Sequence, residues 1–159
     1  MPFTQMMLFP TQFVLKTTNE GIKLMATPIK EIDIRHSTSQ KYSDLTAERA
    51  NEQLNKIKPG PLHVKVKFTL AEGNKFCLRY QGNEILNLLP ADVHSGENEM
   101  EILIDKTVAE LFLNNGDRYI IRQLLPGSNN KSLELDSENY GPFLKSMEVY
   151  EMKFMWDNN

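Results

Sequence analysis

Residues 100–126 read MEILIDKTVAELFLNNGDRYIIRQLLP, three strands written around two turns. Met100, Ile102 and Ile104 alternate with Glu101, Leu103 and Asp105, the period of two of a half-buried strand. Asp105-Lys106-Thr107 interrupts the run, and Val108 to Leu113 forms a second apolar stretch. Asn114-Asn115-Gly116-Asp117 follows. Asn-Gly is a strong hairpin signal because both residues tolerate positive φ. Tyr119-Ile120-Ile121 opens the third strand, which Pro126-Gly127 closes.

The same grammar runs outward in both directions. Toward the C-terminus, Lys131 to Leu135 and Met147 to Trp156 complete the strand set around a loop at Asp136 to Pro142. Toward the N-terminus, Leu62, Val64, Val66, Phe68 and Leu70 alternate with His63, Lys65, Lys67 and Thr69, the most regular strand in the chain. Glu72-Gly73-Asn74 turns it into Phe76, Leu78 and Tyr80. Gln81 to Glu84 turns again into Ile85 to Leu89, and Ala91 to Asn98 is a loop. Further upstream, Met6 to Thr17 reads as one or two strands bent at Pro10. Ile22 to Thr27 is a strand with Ile22, Leu24 and Ala26 on one face, and Pro28 to Ile34 is another. His36 to Ser43 reads as a polar surface excursion.

One helix is expected. Ala47, Ala50, Leu54 and Ile57 recur at intervals of three and four, with Thr46 as N-cap and Pro59-Gly60-Pro61 as the stop. Many short alternating strands with Gly, Asn and Pro turns indicate a sandwich or barrel. The expectation is an all-β, single-domain chain over residues 1–159, with one short surface helix near 47–57 covering an edge or face.

The order of the residues carries more than their pattern. Ile102-Leu103-Ile104-Asp105, then Thr107, then Glu110-Leu111-Phe112, then Asn115-Gly116, resembles the C-terminal β-sandwich of glycoside hydrolase family 32. That family comprises the invertases, levanases, inulinases and other β-fructosidases. Phe9-Pro10-Thr11 through Leu15 is similar to the start of that sandwich, with Thr11 where Arg is common. Gly21 to Leu24, Pro28 to Ile32, and Ser146 to Trp156 follow in the same order. The resemblance implies two antiparallel sheets in a jelly-roll-like, lectin-like sandwich.

It also implies where the chemistry lies. Family members cleave fructosides with two carboxylates on an N-terminal five-bladed propeller: the Asp of an Asn-Asp-Pro-Asn-type motif and the Glu of a Glu-Cys motif. An Arg-Asp-Pro motif supports them. The chain contains no Asp-Pro dipeptide, and its one cysteine, Cys77, follows Phe76. Retaining hydrolysis needs two carboxyl groups about 5–5.5 Å apart. On the resemblance, the chain holds no catalytic group and its partner is the propeller of a parent protein, itself secreted or periplasmic. A free-standing fructan-binding module is the alternative, and a homo-oligomer is left open. A third reading is an independent enzyme acting through Asp105 and Glu110.

Composition sets further bounds. With 18 basic and 21 acidic residues and a net charge of −3, the chain has no basic footprint for nucleic acid. Its apolar runs are too short to span a membrane as a helix, and Met1-Pro2-Phe3 lacks the basic start of a signal peptide. A lone Cys77 reads as a small buried hydrophobe. No cofactor is indicated. His36, His63 and His94 show no metal-binding spacing, so no metal site is expected from the linear pattern. The structural motif residues are Asp105, Thr107, Glu110, Phe112, Asn115 and Gly116, with Asp105 and Glu110 holding turn and neighbouring backbone. Tyr140 and Trp156 are the candidate sugar-stacking aromatics. Met1, Phe3, Met6 and Met7 are expected to form an apolar patch where a propeller would pack.

Overall fold

The computed structural model describes residues 7–125, 131–136 and 141–153. Among them run β1 (Thr11–Thr18), β2 (Gly21–Pro28), β3 (His36–Leu45), α1 (Ala47–Leu54), β4 (Leu62–Thr69), β5 (Phe76–Tyr80) and β6 (Asn83–Leu88). They are followed by β7 (Glu97–Ile104), β8 (Val108–Leu113), β9 (Arg118–Gln123), β10 (Leu133–Leu135) and β11 (Phe143–Met152).

Six strands form one antiparallel sheet in the order β3-β11-β4-β7-β8-β9. Three more form a smaller sheet, β10-β5-β6, and the two sheets enclose the main core. The alternation in β4 explains its central place. Leu62, Val64, Val66 and Phe68 point into that core, and Phe68 meets Phe76 of the facing sheet edge-on, with centroids 4.8 Å apart. The β7–β9 meander lies where the sequence puts it, from Met100↔Leu113 to Leu113↔Arg118 in register.

The helix contributes Ala47, Ala50 and Leu54 to the core, with Ile57 just beyond its end. It covers an edge of the small sheet. The Asn51 side chain donates to the Leu135 carbonyl at 2.7 Å and accepts from the Leu135 amide at 2.8 Å. The outward backbone groups of Leu135 are thereby satisfied as a neighbouring strand would satisfy them.

Three local expectations are revised. Residues Lys30–Arg35 form a 3-10 helix, not a strand. Ile29 and Ile32 are three apart, the period of that helix, and the Ile32 amide bonds the Ile29 carbonyl at 3.2 Å. Ile32 is buried there while Ile34 is exposed. Pro90–Asp92, within the expected loop, is a short 3-10 turn. His36–Leu45 is an edge strand on β11, not an excursion. Its polar composition suits an edge, where only one neighbour pairs and charge discourages further pairing.

The first two strands stand apart. β1 and β2 form a two-stranded ribbon, separate from both sheets. An isolated two-stranded ribbon is marginally stable in water, so what anchors it matters.

Candidate functional site

The anchor is built from the motif residues themselves. Glu110 lies on β8 with its side chain on the outer face of the large sheet, and it is fully buried. A buried carboxylate is costly unless its oxygens accept hydrogen bonds. One oxygen accepts from the Phe9 amide at 2.6 Å, and the other accepts a short hydrogen bond from the Tyr119 hydroxyl. Tyr119 also stacks on Phe112, centroids 4.7 Å apart and planes 13° apart. Burial, and then the Glu110 carboxylate, hold the Tyr119 phenol protonated well above its ordinary range.

The far end of the motif grips the other strand of the ribbon. Asn114, Asn115 and Gly116 all have positive φ, at 49°, 56° and 83°, which the Asn-Gly reading requires. The Gly116 carbonyl accepts from the Ala26 amide at 3.1 Å. Lys23 reaches the same turn, 2.9 Å from Asp117, and its ammonium is pushed up to about 12 by Glu20 and then Asp117. Ala26, Ile32, Leu103, Phe112 and Met152 form a second, smaller core beneath these contacts.

Asp105 takes a different part. Its carboxylate accepts from the Lys106 amide at 2.7 Å, and its own amide bonds the Val108 carbonyl at 2.9 Å, closing the β7–β8 turn. Thr107 is exposed and accepts the Leu124 amide through its carbonyl at 2.8 Å. Asp105 and Glu110 share no hydrogen-bond partner among the described residues. Each accepts from a backbone amide, Asp105 from Lys106 and Glu110 from Phe9. Tyr140 and Trp156 lie outside the described residues, as do Met1, Phe3 and Met6, while Met7 is exposed.

No family model matches the chain. A levanase from Bacillus subtilis is 25% identical over 191 aligned positions, spanning 98% of this chain and 28% of the levanase. Among solved structures, exo-inulinase from Aspergillus awamori superposes with a TM-score of 0.65 at 16% identity over 94% of this chain and 36% of that one. This chain is similar to part of a levanase and has the β-sandwich fold of the exo-inulinase. The same fold recurs in sucrose-6-phosphate hydrolase from Lactobacillus gasseri, with a TM-score of 0.62 at 13% identity over 89% of this chain and 33% of that one. It recurs again in fructan 1-exohydrolase IIa from Cichorium intybus, with a TM-score of 0.61 at 14% identity and 89% and 40% coverage. The chain thus spans under a third of the levanase it matches.

This sandwich carries two features that linear reading does not reveal. The ribbon face holding Phe13, Leu15, Ile22 and Leu24 is solvent-exposed, between 56% and 74% for each side chain. The second feature is a histidine cluster. His36 at the start of β3 and His63 on β4 are 27 positions apart in sequence, yet their ring nitrogens stand 2.9 Å apart. His63 is buried, and its other nitrogen lies 2.6 Å from Glu101 of β7. Tyr150 of β11 stacks on His36, centroids 4.0 Å apart. Burial, then His63, lower the His36 imidazole below its ordinary value. His94 is exposed in its loop, as expected.

Proposed function

We propose that this chain is the non-catalytic sandwich domain of a β-fructosidase acting on levan, inulin or sucrose. It would stabilise a catalytic propeller and border its substrate cleft. The observation that carries this reading is coverage: the match to levanase runs along 98% of the chain but occupies 28% of the relative. Two further observations support it. Glu110, the tempting acid, has both oxygens engaged in holding Phe9 and Tyr119. The ribbon also presents an apolar face, larger than scattered surface residues would make, that a second domain would cover.

The test has two parts. An antibody to this domain should detect, in the native source, a polypeptide much larger than the 18.3 kDa of the chain. The isolated chain should release no fructose from sucrose, levan or inulin. A native band at the chain's own size with saturable levan binding would instead favour a free-standing fructan-binding module. Turnover by the isolated chain, abolished by Glu110→Gln, would favour an independent enzyme.

A further inference from the structure

We infer that Asp33, His36 and His63 form a binding site for a divalent transition-metal cation of the zinc class. The inference is independent of the fructosidase reading.

Three donor atoms converge: His36 Nε2, His63 Nδ1 and Asp33 Oδ1. They are separated by 2.9 Å between the two nitrogens, 3.6 Å from Asp33 to His36, and 3.8 Å from Asp33 to His63. Zinc bound tetrahedrally at about 2.0–2.1 Å sets its ligand atoms roughly 3.3–3.4 Å apart. The observed separations bracket that value, so a few tenths of an ångström of side-chain movement completes the triangle. Two imidazoles with one carboxylate select zinc, copper or nickel over calcium or magnesium, which prefer all-oxygen shells.

The tautomers fit. Glu101 accepts at 2.6 Å from His63 Nε2, so that nitrogen carries the proton and Nδ1 carries the lone pair. A carboxylate behind a ligand histidine is the usual outer-shell arrangement of a metal site, fixing ring orientation and raising basicity. Without metal, His36 Nε2–H donates to His63 Nδ1. On binding, the His36 imidazole changes tautomer, its proton moving from Nε2 to Nδ1 by exchange with solvent, so that both facing nitrogens offer lone pairs to the cation. Tyr150 holds the His36 ring by stacking. Asp33, about half exposed, leaves an open side where water completes the shell.

One cation already stands nearby. Lys65 Nζ lies 3.4 Å from Asp33 and 3.8 Å from Glu101. Its partly exposed, flexible stem lets it swing outward when a dication takes the carboxylate. Metal binding would tie the Lys30–Arg35 turn and the start of β3 to the central strand β4, a staple at the edge of the large sheet.

The test uses the chain free of any affinity tag. Titration with zinc chloride, followed calorimetrically, should give one saturable site of micromolar or tighter affinity. Cobalt chloride should give the visible absorption of a four-coordinate site. His36→Ala should abolish both signals, and Glu101→Gln should weaken zinc about 10–100-fold. His94→Ala should change neither. Should His36→Ala fail to fold, the exposed Asp33→Asn substitution serves in its place and should weaken binding. Absence of a saturable site, or one indifferent to Asp33 and His36 substitution, overturns the inference.

Discussion

Gly116 and Ala26 approach so closely that a Cβ added to Gly116 would stand 1.9 Å from the Ala26 carbonyl oxygen. Gly116 also has a φ of +83°, which L side chains rarely adopt. Gly116→Ala should therefore lower stability by about 2–4 kcal/mol, from overpacking and left-handed strain together. For a domain of this size that is a fall in Tm of roughly 4–16 °C, read by calorimetry. A fall below about 2 °C would mean that the ribbon is not clamped at this point.

Glu110→Ala leaves the partly buried Tyr119 hydroxyl and Phe9 amide without the Glu110 acceptor. Each such orphan costs about 1–3 kcal/mol, so a loss of about 2–4 kcal/mol is expected by denaturant titration. Amide exchange of the ribbon should accelerate more than that of β4. Unchanged stability would mean that Glu110 is not the ribbon's anchor.

Asn51→Ala removes both hydrogen bonds between α1 and Leu135. The expected cost is about 1–3 kcal/mol, with faster hydrogen exchange at the Leu135 amide. A neutral substitution would show that water replaces the clamp at no cost.

Stability should also fall at alkaline pH. Burial, and then the Glu84 carboxylate 3.4 Å away, push the Cys77 thiol up from 9.0 to about 11. The native state therefore keeps a proton that the unfolded chain releases. The contribution is complete below pH 9 and is lost as the pH rises from 9 through 11. Chemical denaturation at a series of pH values should show the decline, and Cys77→Ala should flatten it. The thiol should also resist modification at neutral pH. Rapid labelling of the native chain would contradict this.

The apolar ribbon face gives a prediction for the larger enzyme proposed above. Leu15→Lys with Ile22→Lys should leave the isolated chain folded, because both side chains are exposed. In the full-length polypeptide the same pair should lower the Tm of the whole. No effect there would mean that the ribbon face is not a contact to a second domain.

Much was legible from local pattern. The β4 alternation, the 100–123 meander, the Asn-Gly turn and the Ala47-Ala50-Leu54-Ile57 face all appear where the periodicities put them, because each element's burial is set by its own spacing. The misread segments had weak or double signals. Pro28 to Ile34 shows alternation and a three-residue period at once, and packing of Ile29 and Ile32 against the second core selects the helix. The polar 36–45 run forms a strand only because β11 supplies its hydrogen-bond partners.

What the sequence by itself determined is which segments alternate, where they turn, and the order of motif residues that resembles family 32. Tertiary structure alone decided which partners those segments found. Strand pairing places Glu101 beside His63 and brings His36 from 27 positions away to 2.9 Å. It also leaves the β1–β2 ribbon outside both sheets with an apolar face uncovered. Such juxtapositions depend on long-range register, which no local periodicity encodes.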